Sequence, residues 1–212
     1  MDIVQNIGKE VKLTRSCNTL LFQNETIARN TDYLGFSKSY NYHFNIAPNK
    51  VLVLGGGGVG RSVCFALGEL KTKKIFLLEK DIQKSRNLVE QLRNKNINCN
   101  AVTTMDLINI QSTLDGVINC TPVGHESFLG NPLPQIKTMK NQWVYDVIYT
   151  PAKTEFLKKA EINKSKLIFG IDLFIFQGIE AFILLTHQKK LRNKVYAKIE
   201  QIRSFYFKKL IN

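Results

Sequence analysis

The chain has 212 residues, of which 44% are hydrophobic, and it carries a formal net charge of +13 at pH 7. Its length suits one ordinary domain, or one domain with part of another, and its hydrophobic content is enough for a core. The excess of Lys and Arg raises the question of a nucleic-acid partner. These residues are spread along the chain and become denser only after Gln188, so we expect no nucleic acid to bind.

The cysteines and histidines give no sign of disulfide bonds or of a metal site. No two cysteines have C-x-x-C spacing, and the three histidines are far apart in the chain, so we expect reduced thiols in a cytoplasmic protein without a metal. The N-terminus lacks the basic and apolar regions of a signal peptide. The most apolar run, Leu173–Leu185, is interrupted by Gln177 and Glu180 and is too short to span a bilayer. We therefore expect no membrane association.

The first 45 residues differ in pattern from those that follow. Two short apolar runs flank Gln23–Glu25, which predicts a β-hairpin. A helix follows, capped by Asn30 or Thr31 and running to about His43. Residues 45–50, with Pro48, are typical of a short linker.

From Lys50 onward, predicted strands and helices alternate. This alternation favours a parallel sheet covered on both faces, and right-handed crossovers then give a doubly wound α/β fold. The amphipathic run 191–210 predicts a helix that docks on this domain rather than on a membrane surface. The predicted strands are 51–54, 74–79, 98–103, 116–120, 143–148 and 166–169, and the predicted helices are 59–70, 82–94, 105–111, 154–162 and 172–188.

A glycine loop follows the first of these strands, Val51–Leu54. Its G-x-G-x-x-G spacing, between a strand and a helix, is typical of a dinucleotide site; the alternative is a glycine-rich turn without a ligand. The first glycine allows the tight turn, the second lets the pyrophosphate approach the backbone, and the third lets the helix pack closely on the strand. The predicted cofactor-binding residues of the loop are Gly55, Gly56, Gly57, Gly58, Val59 and Gly60.

Five further segments, taken with this loop, resemble the shikimate dehydrogenase family, which includes quinate/shikimate dehydrogenases. The resemblance runs from about residue 10 to residue 187. Another Rossmann-type reductase, such as a glutamyl-tRNA reductase, is disfavoured by the Asn-Thr-Asp and Gln-Gly-x-x-Ala-Phe sequences. The five segments are Ser16–Leu20, Arg29–Phe36, Ile118–Gly124, Tyr145–Thr154 and Gly170–Phe182.

The resemblance implies an NADPH-dependent oxidoreductase of aromatic amino-acid biosynthesis that interconverts 3-dehydroshikimate and shikimate in a cleft between two domains. We expect this small-molecule substrate, and a monomer or homodimer. The predicted division is a remnant of the substrate-binding domain at 1–45, a Rossmann-type nucleotide domain at 46–188 and a basic C-terminal helix at 189–212.

Four residues match the family's substrate-binding positions. Asn18 can donate and accept hydrogen bonds to a polyhydroxylated ring, and Asp32, also the predicted catalytic residue, contacts a substrate hydroxyl in the family. Tyr149 follows the fifth strand, and Gln177 interrupts an apolar helix. The alternatives are a helix-capping or first-turn acid for Asp32, a core aromatic for Tyr149 and a glutamine bonded to a nearby loop for Gln177.

The remaining predicted cofactor residues concern the two ends of the dinucleotide. By resemblance, Thr121, Val147 and Gly170 lie near the nicotinamide, although ordinary packing at strand ends is the alternative. Lys80 and Lys84 match the basic positions that hold the 2′-phosphate of NADP. Glu79 departs from that pattern, because an acid at this place bonds to a free ribose hydroxyl and repels a phosphate. We favour NADP, with NAD as the alternative.

Two motifs of the family are not found in this sequence. One is a Ser-x-Ser element that binds the substrate carboxylate, and the other is Asn-Val-Thr-x-Pro-x-Lys, whose lysine is the catalytic acid and base. A positioned acid typically contributes ~10²–10⁴-fold, and an ionised Asp32 supplies that proton poorly. We therefore expect weak activity or none. The alternatives are a non-catalytic dinucleotide-binding protein and one half of a split enzyme.

Overall fold

The computed structural model describes residues 4–22, 24–135, 137–138 and 140–211. A small three-stranded sheet comes first, in the order β1-β3-β2, with β1 parallel and β2 antiparallel to β3. The predicted hairpin is confirmed in its strands, while its turn residue Gln23 lies outside the described residues. The elements are β1 (Asn6–Ile7), α1 (Lys9–Thr14), β2 (Thr19–Phe22) and β3 (Thr26–Arg29).

The predicted doubly wound parallel sheet is confirmed. Six strands pair in parallel in the order β6-β5-β4-β7-β8-β9. The central strands are almost wholly buried, because helices cover both faces of the sheet, and this burial explains their continuous apolar sequences. The strands are β4 (Lys50–Leu54), β5 (Lys74–Leu78), β6 (Cys99–Ala101), β7 (Gly116–Asn119), β8 (Trp143–Asp146) and β9 (Lys166–Ile168).

Four helices connect these strands, close to the predicted positions. The helix predicted at 105–111 is shorter, because its second half tightens into a 3₁₀ turn at Gln111–Thr113. The helices are α3 (Gly58–Glu69), α4 (Ile82–Arg93), α5 (Leu107–Ile110) and α6 (Glu155–Ile162).

Two long helices, α2 (Thr31–His43) and α7 (Gly170–Leu185), pack against each other between the two sheets. Gly35 of α2 makes this approach close, because a Cβ added there would lie 2.6 Å from the backbone nitrogen of Gln177. Asn30 caps α2 by accepting a hydrogen bond from the Tyr33 amide at 3.0 Å. Its side-chain nitrogen also donates to the Ser62 hydroxyl of α3 at 2.9 Å, which ties the small sheet to the larger one.

The C-terminal segment docks on α7, as predicted, but not as one helix. It forms a 3₁₀ turn at Lys189–Leu191, then α8 (Arg192–Tyr196) and α9 (Ile199–Ile211). The break lets both helices reach buried carboxylates of α7. Arg192 and Tyr196 bond to Glu180.

The second of these carboxylates, Asp172, is shared by three helices. It accepts a bond from Arg203 of α9 at 2.6 Å and pairs with His43 of α2 at 2.8 Å. Burial raises the pKa of Asp172, but the bonds from His43 and Arg203 outweigh burial and leave that pKa below its usual value. Asp172 therefore fixes the C-terminal helix to both long helices.

Candidate active site

The glycine loop lies at the C-terminal end of β4, where the strand order reverses between β4 and β7. Open α/β sheets bind ligands at such a switch point. Gly55 has a φ of +88°, which favours glycine, and its amide donates to the carbonyl of Leu78 at 2.8 Å. A Cβ added at Gly60 would lie 2.0 Å from the carbonyl oxygen of Gly55, so a side chain there would push α3 away from the strand.

Gly57 differs from these two, because no described atom lies within 4 Å of a Cβ added there. The loop therefore presents an open backbone surface beside the first turn of α3. The free amides at a helix N-terminus and the dipole of the helix favour an anion at this place. The geometry fits the phosphates of a dinucleotide.

Glu79 follows β5 and contacts the glycine loop directly. One carboxylate oxygen accepts a hydrogen bond from the Gly56 amide at 2.7 Å, and the other accepts from the Asp81 amide at 3.0 Å. The side chains of Lys80 and Lys84 are exposed nearby. The Lys84 ammonium lies 3.6 Å from Asp81, the cap of α4. The residues predicted to determine the preference for NAD or NADP thus lie close together, and they include one carboxylate, Glu79, and two ammonium groups, Lys80 and Lys84.

A cavity of about 400 Å³ opens between the glycine loop and the ends of β7 and β8. Its walls are largely apolar, with a few polar groups, which is the usual character of a small-molecule site. Gly170 packs behind one wall, since a Cβ added there would lie 2.2 Å from the carbonyl oxygen of Ile148. The lining residues are the predicted Gly58, Val59, Thr121, Val147 and Tyr149, together with Cys120, Pro122, His125, Phe128, Ile148 and Thr150.

Three of the four predicted substrate residues meet at the start of α2. The Asn18 side-chain oxygen accepts from the Thr31 amide at 2.9 Å, and its nitrogen donates to the Thr31 hydroxyl at 3.0 Å. The same hydroxyl lies 3.1 Å from Oε1 of Gln177, to which it donates. Burial raises the pKa of Asp32, and a hydrogen bond from Asn18 opposes that rise. Asn18, Asp32 and Gln177 therefore form one polar group.

Cys120 connects this polar group to the cavity. Its thiol lines the cavity, and its pKa is raised by burial and by the nearby carboxylates of Asp146 and Asp32. Tyr149 reaches the cavity from the end of β8, and its ring lies 4.9 Å from that of Phe174. A ligand in the cavity would therefore contact Tyr149 and the wall at Cys120, and the Asp32 carboxylate is near enough to that thiol to raise its pKa.

The structure bears on several of the alternatives. Asn30, not Asp32, caps α2, whereas Asp32 lies in the first turn of that helix, as one alternative for it states, and its substrate role stays a prediction. Tyr149 is not a core aromatic, since 44% of it is exposed. Gln177 bonds to the start of α2 and to the carbonyl of Phe174 rather than to a loop.

Two residues near the cavity, His125 and Phe174, are not predicted as site residues from the sequence. His125 directly follows the Thr-Pro-Val-Gly segment, and this position is the one feature of the sequence that could have indicated a role in the site. Phe174 belongs to the apolar run of α7, where the pattern does not distinguish it from its apolar neighbours. Within the described ranges, no three His, Cys, Asp or Glu side chains cluster as a metal site would require, and all four cysteines are free thiols. No helix of the described ranges is long and apolar enough to cross a membrane.

The fold and this site define a class: a Rossmann-type α/β protein with a second, three-stranded sheet and a cavity between its glycine loop and the ends of β7 and β8. No family model matches the chain. A shikimate dehydrogenase (NADP⁺) of Caldanaerobacter subterraneus is 30% identical over 203 residues, which cover 94% of this chain and 72% of that relative. Another, of Clostridium perfringens, is 33% identical over 184 residues, which cover 85% of this chain and 66% of that relative.

Solved structures agree with these relatives. Quinate dehydrogenase of Corynebacterium glutamicum, in complex with NAD, matches with a TM-score of 0.81 at 24% identity over 93% of this chain and 73% of its own. The shikimate dehydrogenase of Thermus thermophilus, in complex with NADP(H) and shikimate, matches with 0.75 at 27% identity over 87% of this chain and 67% of its own. The chain belongs to the shikimate dehydrogenase family, which confirms the resemblance. It spans about two thirds of the length of these curated relatives.

Proposed function

We propose that this chain is a shikimate dehydrogenase-type oxidoreductase that binds NADP(H) at the glycine loop and shikimate or 3-dehydroshikimate beside Asp32. The observation that carries the proposal is the meeting of Asn18, Asp32 and Gln177 next to a cavity that begins at the glycine loop. The curated relatives are named for this activity with NADP⁺. The proposed division of the chain is 1–45, 46–188 and 189–212.

The cofactor, when bound, supplies or accepts a hydride at its nicotinamide ring. The chain's own residues orient the substrate. The Asp32 carboxylate accepts a hydrogen bond from a ring hydroxyl, and Asn18 holds that carboxylate in place. Tyr149 closes the other side with a phenol that can donate or accept.

Reduction of a ketone also requires a proton for the new hydroxyl. None of the described residues that line the cavity is a lysine. An ionised Asp32 has no proton to give, although burial raises its pKa. We therefore propose that turnover by this polypeptide alone is weak, and that dinucleotide binding is its stronger property.

NAD is the second candidate cofactor, and Glu79 is the observation that favours it. Its carboxylate is held at the loop by the Gly56 amide, where an acid bonds to a free ribose hydroxyl. Lys80 and Lys84 favour NADP. We further propose that the chain acts in the cytoplasm, in keeping with its free thiols, and that it takes part in aromatic amino-acid biosynthesis. We propose a monomer or homodimer without nucleic-acid or membrane partners.

Calorimetric titration with NADP⁺ and NAD⁺ tests cofactor binding, and absorbance of the reduced nicotinamide tests shikimate oxidation. Gly57→Ala is the informative variant, because its methyl group enters open space in the fold but obstructs a pyrophosphate. We expect dinucleotide affinity to fall about tenfold or more with an unchanged Tm. Gly178→Ala, also open at its Cβ, is the matched control and should bind as the unaltered chain does. The proposal fails if the unaltered chain binds neither dinucleotide.

Turnover is tested separately with Asp32→Asn. We expect a low rate for the unaltered chain and none for the variant, while both bind the dinucleotide equally. A high rate in the unaltered chain would contradict the proposed weakness and show that another group replaces the lysine.

A further inference from the structure

His125 lies in the connection after β7, on the wall of the cavity. This connection is folded by its own backbone bonds. The His125 amide donates to the carbonyl of Pro122 at 3.1 Å, the Phe128 amide donates back to the carbonyl of His125 at 2.8 Å, and the Gly124 amide donates to the carbonyl of Phe128 at 2.7 Å. A turn of defined shape therefore holds His125 in the cavity wall.

The tautomer of this imidazole is also defined. The Ser127 amide donates a hydrogen bond to Nδ1 of His125 at 3.1 Å. An Nδ1 that accepts cannot carry a proton, so the neutral ring carries its proton on Nε2. Within the described part of the chain we find no acceptor for that N–H. The ring thus offers one hydrogen-bond donor.

The surroundings of His125 indicate which part of a ligand would meet this donor. Its wall includes Thr121 and Val147, which follow β7 and β8, and the apolar Pro122 and Phe128. An aromatic ring with attached oxygen acceptors suits such walls, because apolar surface contacts the ring while a few polar groups fix its orientation. The phosphates belong at the other end of the cavity, at the glycine loop.

We propose that His125 is a cofactor-binding residue that donates from Nε2 to an oxygen of the nicotinamide riboside half of the dinucleotide. This inference rests on the proposed function. Since Nδ1 is already an acceptor, His125 acts as a neutral donor, and it keeps its proton. Its role is to orient the nicotinamide, and proton transfer to the substrate is not assigned to it.

The experiment has two measurements on the full chain. Long-range ¹H–¹⁵N correlation spectra read the tautomer, and we expect the proton on Nε2. Calorimetry then compares His125→Phe, which keeps an aromatic ring, with the unaltered chain. The two probes are NADP⁺ and adenosine bisphosphate, the adenosine half of NADP⁺, which lacks the nicotinamide and its ribose. We expect His125→Phe to weaken NADP⁺ about three- to tenfold and to leave adenosine bisphosphate unchanged.

Ser127→Ala is the matched control, because it keeps the backbone amide that orients the ring and should bind both probes normally. A proton found on Nδ1 overturns the inference. So does a His125→Phe variant that binds NADP⁺ normally, or that binds both probes equally weakly. In those cases the unaltered chain still binds NADP⁺ and the proposed function stands. An unaltered chain that binds neither probe overturns both.

Discussion

The hydroxyl of Thr31 lies 3.1 Å from Oε1 of Gln177, a residue 146 positions further along the chain. Thr31 is fully buried, and the same hydroxyl accepts a hydrogen bond from Asn18. One side chain therefore joins the small sheet, the start of α2 and the middle of α7. The polar group formed by Asn18, Asp32 and Gln177 depends on this junction.

Thr31→Val should disrupt the junction while keeping the shape of the side chain. It removes the hydroxyl that accepts from the Asn18 side-chain nitrogen and donates to Oε1 of Gln177, while the backbone amide of residue 31 still bonds to Asn18. Losing these two bonds costs about 1–3 kcal/mol of stability and should also weaken shikimate binding. Chemical denaturation and calorimetric titration with shikimate measure the two effects. Thr31→Ser retains the hydroxyl and is the control. Equal behaviour of the two variants would show that the hydroxyl contributes nothing.

Glu79→Gln should shift the cofactor preference toward NADP. It removes a negative charge from the place of the 2′-phosphate, and a carboxylate near a phosphate costs on the order of 1 kcal/mol or more. We expect the ratio of NADP⁺ to NAD⁺ affinity to rise about tenfold, measured by titration with each. Glu90→Gln removes an exposed carboxylate of the adjacent α4 and should leave the ratio unchanged. An unchanged ratio in Glu79→Gln would show that Glu79 does not contact the adenosine ribose or its 2′-phosphate.

Asp146→Asn should change the pH dependence of stability. Asp146 is fully buried at the end of β8 and accepts a hydrogen bond from the Thr154 hydroxyl at 2.6 Å. Burial raises its pKa from 3.8 to about 6, although its hydrogen bonds oppose the rise. The folded chain then holds this proton more tightly than the unfolded chain does. Its contribution to stability therefore falls as the pH rises from about 4 to about 6, and stays constant above.

The stability of Asp146→Asn relative to the unaltered chain should consequently increase by up to about 3 kcal/mol between pH 4 and pH 7, as measured by urea denaturation at each pH. Asp106→Asn is a control of opposite sign. Hydrogen bonds from Thr103 lower the pKa of Asp106, so the relative stability of that variant should fall as the pH rises through the acidic range. A flat difference for Asp146→Asn would mean that the carboxyl group titrates normally.

Tyr206→Ala should weaken shikimate binding from a distance. Tyr206 of α9 meets the ring of Phe174 edge-on at 5.3 Å, and Phe174 in turn supports Tyr149. Aromatic contacts of this kind contribute about 0.5–1.5 kcal/mol, so we expect shikimate affinity to fall about two- to tenfold. Ile211→Ala removes an exposed apolar side chain of the same helix and is the control. An equal loss in both variants would indicate general loosening of α9 instead.

Much of this architecture was predictable from local pattern. The apolar run at Val51–Leu54, the glycine spacing and the cap at Asn30 each specify their structure within a few neighbouring residues. The unpredicted features are those whose partners are distant in the chain. The helices α8 and α9 each bond to a buried carboxylate of α7, Glu180 or Asp172. The apolar run that Glu180 interrupts does not show which distant residues pair with either carboxylate.

The same reason explains which site residues could be anticipated. Each of Asn18, Asp32 and Gln177 lies in a sequence segment that resembles the family. The hydrogen bonds that link Asn18 and Gln177 through Thr31 depend on how α2 packs against α7. His125 is set by a turn and by the Ser127 amide, which composition and spacing do not specify.

Gly35 sets how closely the two long helices, α2 and α7, approach each other. At this point no side chain separates the backbones of α2 and α7, because a Cβ added to Gly35 would lie 2.6 Å from the Gln177 nitrogen. Any larger residue at position 35 would therefore push the two helices apart and draw Thr31 away from Gln177. Adaptation to a larger or smaller ligand would act instead on the residues that line the cavity, Tyr149 among them.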